Sequence, residues 1–208
     1  MFNLNKTFSI NDVVIDRNDE DKDFAIVELW ALSDGNNSHR NPISNEVLRR
    51  DAHTFKGKFI VGKYDNFIKD TKGHEVREDV YGYVSVTEEP QFKKKTVDDI
   101  EKEFVVVKGV LSKIYAKQIV DLFRVNNVKS VSCEFSCALE YEEDEYGRPL
   151  DENGLPMDID NPILAYSISG ITILGERINP SVKGAEIIMK RFSEDTNKLS
   201  EKFKEKEL

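Results

Sequence analysis

Hydrophobic and polar positions alternate most clearly in the segment Lys129–Leu139. Successive side chains of a β-strand point to opposite faces of the sheet, so this segment predicts a strand with one apolar and one polar face. The apolar face comprises Val131, Cys133, Phe135, Cys137 and Leu139, and the polar face comprises Ser130, Ser132, Glu134 and Ser136. The small hydroxyl groups leave room for a ligand and could include a nucleophile held on a rigid strand. Taken alone, the pattern is more typical of the solvated outer face of an antiparallel sheet.

Other apolar runs predict the rest of the fold. Further strands are expected at residues 24–32, 59–62, 79–87, 104–111 and 163–174. Two helices are expected behind capping serines, at residues 45–50 after Ser44 and at 113–126 after Ser112. The apolar face of the second helix comprises Tyr115, Ile119, Leu122 and Phe123. Many strands with few helices predict an α+β fold, with a mixed or antiparallel, barrel-like sheet flanked by helices.

Two segments differ from this pattern. Residues 142–160 are acidic and rich in turn residues, which predicts a surface loop insertion; they lack the ligand order of a calcium-binding EF-hand loop. From Ala185 onward the composition is helical and dense in Lys and Glu. A short heptad-like seam recurs there at spacings of 4, 3 and 4, formed by Phe192, Thr196, Leu199 and Phe203. We therefore expect a domain at residues 1–187 and a charged C-terminal helical tail at 188–208 that could bind a scaffold.

Composition excludes several classes of function. The chain has 208 residues, 39% of them hydrophobic, which is enough for one sizeable core. A net charge of -9 argues against general nucleic-acid binding, which needs Lys and Arg to neutralise phosphates. No run approaches the roughly 18 apolar residues that a membrane span requires, and the N-terminus lacks a secretory signal. A soluble intracellular protein is expected.

Candidate chemistry centres on serine and histidine. Phosphate-binding loops, dinucleotide fingerprints, His-Glu-x-x-His and the Gly-x-Ser-x-Gly elbow are all absent from the sequence. A serine nucleophile needs a base, and the available histidines are His39, His53 and His74. His74 lies just before a predicted strand, a position that is held firmly while remaining accessible. As a single observation it is also compatible with an ordinary surface histidine.

Five segments, taken in order, carry a family resemblance. They are Trp30–Asn37, Thr54–Val61, Gly73–Val84, Val128–Phe135 and Ile168–Pro180. Their order and spacing resemble the prohead maturation proteases of tailed bacteriophages, which are relatives of the herpesvirus assemblins. The resemblance covers roughly residues 24–187. In that family a histidine at the start of a strand precedes a serine on a later strand, with a helix between them, and His74 and Ser132 match this arrangement.

The resemblance implies a function and a site. It implies an assemblin-like barrel and a serine endopeptidase that cleaves scaffold and major capsid proteins inside the assembling prohead, in the host cytoplasm. Ser132 would be the nucleophile and His74 the general base, and no cofactor or metal is expected. By analogy with the family, backbone amides at residues 175–177 would form the oxyanion hole.

The third catalytic residue is left open. The family places a histidine or an acid on a strand after the serine, where this chain offers only Ser167 and Ser169. Asp79 and Glu134 are substitutes that the sequence does not rank. This departure, together with the charged tail, supports an alternative: a catalytically inactive structural or scaffold protein of the phage head with the same fold. A homo-oligomer is left open, while nucleic-acid and membrane partners are not expected.

Overall fold

The computed structural model of the protein describes residues 23–125 and 128–189. The described residues form ten strands and two α-helices. The strands are β1 (Phe24–Ser33), β2 (Phe59–Gly62), β3 (Tyr64–Asp65), β4 (Asp70–Thr71), β5 (Asp79–Val84), β6 (Gln91–Val97), β7 (Ile100–Ser112), β8 (Val128–Leu139), β9 (Ile163–Ile173) and β10 (Glu186–Met189). The helices are α1 (Asn45–Asp51), which continues into a short 3-10 turn at Ala52–Phe55, and α2 (Lys117–Val125).

Seven strands close into a barrel. Their order is β1-β10-β8-β9-β2-β5-β7, and β7 pairs back onto β1. All of these neighbours are antiparallel except β2 and β9, which run parallel. β6 pairs with β7 as a hairpin, and β3 and β4 form a separate two-stranded sheet. The barrel-like mixed sheet predicted from the sequence is therefore present in a chain that is mostly β.

The core fills the barrel and the space beneath its helices. Leu29, Ile60 and Leu111 are fully buried strand residues, and Leu48 and Phe123 are fully buried helix residues. Burying a side chain of this size contributes about 1.5–3 kcal/mol to stability. At Gly82, where β5 crosses β7, a Cβ atom would lie 1.8 Å from the Val110 carbonyl oxygen. The close approach of these two strands therefore requires glycine.

The structure contains both predicted helices, but the second begins later in the chain than the sequence predicts. α1 is confirmed: Ser44 Oγ accepts a hydrogen bond from the Val47 amide at its N-terminus. α2 begins at Lys117, later than expected, because Ser112 Oγ accepts from the Tyr115 amide and caps a preceding turn instead. Tyr115 consequently lies outside the helix and is exposed, so its assignment to the apolar face was wrong.

The helix predicted from Ala185 is wrong over its first residues. Glu186–Met189 form β10, which lies between β1 and β8 and completes the barrel. Ile187 faces Leu29 on one side and Lys129 on the other, and it is fully buried. Pairing on both edges thus overrides the helical composition of this short segment. The remainder of the predicted tail, 190–208, lies outside the described residues.

The acidic segment 142–160 consists of two consecutive turns. Asp144 accepts hydrogen bonds from the amides of Tyr146 and Arg148, and Asp151 accepts from those of two residues in the next turn. Arg40 pairs with Asp158 and Asp160 near the end of the segment. The insertion is therefore tied to the loop after β1. No helix among the described residues is long and apolar enough to cross a membrane.

Candidate functional site

β8 and β9 bring three polar side chains to one face of the barrel wall. In their antiparallel register Ser132 lies opposite Thr172, and Glu134 lies opposite Gly170. Directly opposed residues, and residues two apart on one strand, share a face. Ser132, Glu134 and Thr172 therefore point to the same side. The Glu134 carboxylate lies over Gly170 of β9, since a Cβ there would be in ordinary contact with it, 3.7 Å from Glu134 Oε2.

His74 reaches this face from the loop before β5. Its Nδ1 atom lies 2.9 Å from Glu134 Oε1 and 4.0 Å from Glu78 Oε1. About half of the His74 side chain is exposed, with a relative accessibility of 47%. An Nδ1–H that donates to Glu134 leaves the lone pair on Nε2, since the partner of one ring nitrogen sets the tautomer. The ring is thereby arranged as a base whose free nitrogen is Nε2.

A buried hydroxyl joins two carboxylates behind the histidine. Thr172 is fully buried, and its Oγ1 lies 2.8 Å from Glu134 Oε1 and 3.3 Å from each carboxylate oxygen of Glu78. Burial, followed by the negative charge of Glu134, raises the pKa of Glu78 above its ordinary value. The cluster of His74, Glu78, Glu134 and Thr172 is called the histidine–carboxylate cluster below.

Ser132 lies beside this cluster on β8. It is 7% exposed and precedes Glu134 by two residues, which is about 6.7 Å along a strand. Within residues 23–125 and 128–189, no hydrogen bond joins its hydroxyl to His74. The structure therefore brings the two predicted catalytic residues to one neighbourhood through Glu134, without a direct hydrogen bond between them.

Of the candidates for the third residue, Glu134 is the one that contacts His74. Asp79 instead lies 3.1 Å from the ammonium group of Lys63, and both side chains are largely exposed. Ser169 is exposed at the irregularity where β9 changes register against β8. Ser167 lies opposite Ser136 in the exposed part of β8. The carboxylate that orients the imidazole is thus on the serine's own strand rather than on a later one.

The segment after β9, expected to supply the oxyanion hole, is anchored to β4. The amide of Glu176 donates to Asp70 Oδ2 at 2.9 Å, so this amide is not available to an oxyanion. A Cβ at Gly175 would lie 2.0 Å from the Thr71 carbonyl oxygen, so the two backbones pass in close contact. Of the three expected donors, those of Gly175 and Arg177 are the remaining candidates.

A buried lysine supports the same anchor. Lys129 Nζ lies 2.9 Å from Asp70 Oδ1 and 3.3 Å from Glu176 Oε1, and only 4% of the lysine side chain is exposed. Burial acts to raise the pKa of Asp70, but the Glu176 amide and the Lys129 ammonium outweigh it and hold that pKa below its ordinary value. Asp70 is therefore an ionised link between β4, β8 and the segment after β9.

The other two histidines lie in different surroundings. His53 Nδ1 is 3.0 Å from the Arg50 carbonyl oxygen at the end of α1. His39 borders a cavity of about 300 Å³ between β1 and β8, which Ser132 and Glu134 also line. Its Nε2 atom lies 3.5 Å from Ser181 Oγ. Neither histidine contacts a carboxylate at hydrogen-bond distance among the described residues.

Glu78 and Thr172 were not found from the sequence. Glu78 follows His74 by four residues, a spacing that has meaning only once the path of the loop is known. Thr172 joins the site because β9 pairs with β8 in a register that the sequence does not specify. The ligand atoms of His74, Glu78 and Glu134 lie within 4.8 Å of one another, so these three residues could also hold a divalent cation.

Comparison with known protein families identifies the family of the chain. A family model described as the YonD N-terminal domain matches residues 23–207, most of the chain. No curated protein and no solved structure matches it. The family indicates a phage-derived protein, which agrees with the phage origin expected from the sequence, while the relationship to prohead proteases stays a prediction. The chain belongs to the YonD N-terminal domain family.

Proposed function

We propose that the protein is a serine endopeptidase of phage prohead maturation, with Ser132 as nucleophile, His74 as general base and Glu134 as the residue that orients His74. The observation that carries the proposal is the 2.9 Å contact between His74 Nδ1 and Glu134 Oε1 on the face of β8 that bears Ser132. Carboxylate, imidazole and hydroxyl in this order are the groups that serine proteolysis requires, on whichever fold they occur.

Each group has a defined part in the reaction. Glu134 accepts the Nδ1–H of His74, so that Nε2 can take the proton of Ser132 as its oxygen attacks the scissile carbonyl carbon. The imidazolium that forms is stabilised by the Glu134 carboxylate. It then returns the proton to the leaving amine, and water hydrolyses the acyl-enzyme by the same route. Proton transfer by a positioned base typically contributes about 10²–10⁴ to the rate.

The missing Ser132–His74 hydrogen bond is compatible with this mechanism. In free enzymes the contact between nucleophile and base is often long and shortens only when substrate binds. About half of the His74 side chain is exposed, and its loop connects β4 to β5 without belonging to either strand. A small movement of that loop would shorten the distance from Nε2 to Ser132 Oγ.

Two backbone amides are the candidates for stabilising the oxyanion. The amides of Gly175 and Arg177 flank Glu176, whose own amide binds Asp70. The Leu174 amide donates to the Ser130 carbonyl oxygen, so this segment leaves the barrel two pairs of residues beyond Ser132. Donors that are fixed before the reaction are the ones that lower the barrier most effectively. The Lys129–Asp70 anchor would supply that rigidity.

The substrates that we propose are the scaffold and major capsid proteins of the assembling prohead, in the host cytoplasm. Support comes from the resemblance in sequence order together with the phage-derived family. A protease confined within an immature shell would meet these proteins at high local concentration. The net charge of -9 gives the chain no general attraction to the nucleic acid that is later packaged.

Incubation with the cognate scaffold protein tests the proposal. The wild type should cut the scaffold into discrete fragments, and Ser132→Ala should lose this cleavage without losing the fold, since the substitution removes one small hydroxyl. Ser136→Ala is the matched control, because Ser136 lies on the same strand in an exposed position and should be dispensable. Equal fragment yields from the wild type and from Ser132→Ala would refute proteolysis by Ser132.

A second candidate is a structural component of the phage head that does not cut peptide bonds. The observation that favours it is the missing hydrogen bond between Ser132 and His74 among the described residues. On this alternative the histidine–carboxylate cluster would stabilise the loop before β5 and have no catalytic part. The scaffold experiment separates the two functions, because a structural protein would bind the scaffold and leave it intact.

A further inference from the structure

The histidine–carboxylate cluster combines an imidazole nitrogen with two carboxylates. The ligand atoms of His74, Glu78 and Glu134 all lie within 4.8 Å of one another. Glu134 belongs to β8, whereas His74 and Glu78 belong to the loop that precedes β5. The proposed mechanism uses His74 and Glu134 but assigns no part to Glu78, although only 12% of that side chain is exposed. The cluster therefore contains a largely buried carboxylate that proteolysis does not need.

The two glutamates lack a cationic side chain. Within residues 23–125 and 128–189, neither Glu78 nor Glu134 forms an ion pair with a lysine or an arginine. The nearby anchor differs in this respect, because the ammonium group of Lys129 lies 2.9 Å from Asp70 Oδ1. Charges that are withdrawn from water in proteins are paired or coordinate metals. The cluster thus brings two carboxylates together without the positive charge that the anchor has.

The spacing of the ligand atoms suits a zinc ion. Zinc binds nitrogen and oxygen ligands at about 2.0–2.1 Å in a tetrahedron, which places neighbouring ligand atoms about 3.3–3.4 Å apart. His74 Nδ1 lies 2.9 Å from Glu134 Oε1 and 4.0 Å from Glu78 Oε1, one value on either side of that spacing. An imidazole among the ligands favours zinc and related transition metals over Mg²⁺ and Ca²⁺, which take oxygen ligands.

Thr172 supports both carboxylates from the barrel wall. It is fully buried, and its Oγ1 atom lies 2.8 Å from Glu134 Oε1 and 3.3 Å from each carboxylate oxygen of Glu78. Carboxylates that bind metals are themselves held by hydrogen bonds from neighbouring groups, which fix their orientation. The opposite side of the cluster is open to solvent, since 47% of the His74 side chain and 43% of that of Glu134 are exposed. An ion can therefore enter, and water can complete its coordination.

We propose that His74, Glu78 and Glu134 form a binding site for a zinc-type divalent metal ion, and that an ion bound there reversibly switches off the protease. The binding site is independent of the proposed function, whereas the switch rests on it. Thr172 is a positioning residue of this site, because it acts through the two carboxylates.

Metal binding and catalysis need opposite forms of the His74 ring. In the proposed mechanism Nδ1–H donates to Glu134, and the lone pair of Nε2 takes the proton of Ser132. A metal ion bonds to the lone pair of Nδ1, so the single proton of the neutral ring moves to Nε2 and no proton is released overall. Nε2–H cannot accept the Ser132 proton, and Glu134 is engaged by the metal. Removal of the ion reverses both changes.

Calorimetric titration of the metal-free full chain with zinc chloride tests the site without any catalysis. The wild type should bind one ion in a site that requires the cluster. Glu78→Gln and Glu134→Gln should each weaken binding at least about tenfold, and Thr172→Val should weaken it by about 10–100-fold. Glu75→Gln, an exposed change in the same loop, is the matched control and should bind as the wild type does. Magnesium chloride should give no binding at the same concentrations.

Two results would overturn the binding site. One is equal zinc affinity in the wild type and in Glu78→Gln; Glu134→Gln, a change at a more exposed position, decides the same point if Glu78→Gln does not fold by circular dichroism. The other is nitrogen-15 NMR of the His74 ring that shows zinc on Nε2. The expected spectrum has zinc on Nδ1 and the proton on Nε2.

Scaffold cleavage tests the switch. Zinc should inhibit the wild type, and EDTA should restore its rate. With inhibition expressed as a fraction of each variant's own rate in EDTA, Glu78→Gln should need at least about tenfold more zinc than the wild type, and Glu75→Gln should need the same amount. Zinc that binds the cluster but leaves cleavage unchanged or faster would overturn the switch. If the metal-free wild type cleaves no scaffold, proteolysis and its switch are both refuted, while calorimetry still decides the binding site.

Discussion

Replacing Lys129 by methionine removes a positive charge from a buried ion pair while keeping most of the side-chain volume. The lysine lies on β8, where it binds Asp70 of β4 and Glu176 of the segment after β9. The exposed fractions are 4% for the Lys129 side chain and 18% for that of Asp70, so solvent screens this pair only weakly. The substitution would leave the Asp70 carboxylate without its cation.

The expected loss of stability depends on the hydrogen bonds that Asp70 keeps after the substitution. Removing one member of a buried pair costs about 3–5 kcal/mol when the other charge is left without compensation. Asp70 still accepts from the amides of Thr71 and Glu176. We therefore expect the lower end of that range, about 3 kcal/mol, which corresponds to a fall in Tm of roughly 6–12 °C for a domain of this size.

Urea unfolding of the full chain, followed by circular dichroism, gives the measurement. Lys63→Met is the matched control, because its pair with Asp79 is exposed by 41% and 59% and should be worth no more than about 1 kcal/mol. The anchor also holds the proposed oxyanion segment, so Lys129→Met should cleave scaffold more slowly even where it is fully folded. A loss of stability no larger than that of Lys63→Met would refute the buried anchor.

Three further predictions concern other parts of the structure. Gly175→Ala should abolish scaffold cleavage and lower Tm, because its Cβ would meet the Thr71 carbonyl oxygen at 2.0 Å; an unaltered rate would contradict the close packing of this segment. Glu78 has a raised pKa when folded, so it stabilises the fold at low pH and this contribution is lost as pH rises through that pKa. In urea melts at a series of pH values from acidic to neutral, Glu78→Gln should therefore lose less stability than the wild type as the pH rises, and equal losses would argue against this contribution. Tyr166→Phe should lower the free energy of unfolding by about 1 kcal/mol, since its hydroxyl donates to the Leu48 carbonyl of α1; no change would show that this bond adds nothing.

Local signals explain which elements the sequence predicted well. The strand from Phe24, the short strand Phe59–Gly62 and the long strand ending at Leu139 each contain apolar runs or an alternation that can be recognised without knowing their partners. The cap at Ser44 depends only on residues within one turn of helix. Hydrophobic periodicity and helix capping depend on residues within a short segment. They can therefore be recognised in the sequence without knowing the tertiary contacts of that segment.

Elements defined by their partners were missed or misassigned. β6 is polar and rich in lysine, and it is a strand because it pairs along the extension of β7 and because Lys94 and Glu101 form an ion pair across the hairpin. β10 has four residues in a segment of helical composition, and pairing with β1 and β8 determines its conformation. Neither partnership can be read from the segment itself.

The same distinction applies to the site. His74 and Ser132 were proposed from the order of segments, and the structure places both near Glu134. The sequence could not choose Glu134 over Asp79 or Ser169, because that choice depends on the path of the loop before β5. Thr172 joins the site only through the register of β8 against β9. The contact between the loop before β5 and strand β8 therefore distinguishes Glu134 from the other candidates that the sequence left open.

Covalent labelling of Ser132 tests the central claim most directly. A fluorophosphonate reacts with a serine whose hydroxyl is activated by a base, and peptide mass spectrometry locates the adduct. We predict a single adduct on Ser132 in the wild type, almost none after His74→Ala, and none on the exposed Ser136. An unmodified Ser132, or equal labelling with and without the imidazole of His74, would contradict the proposal that these two residues act together.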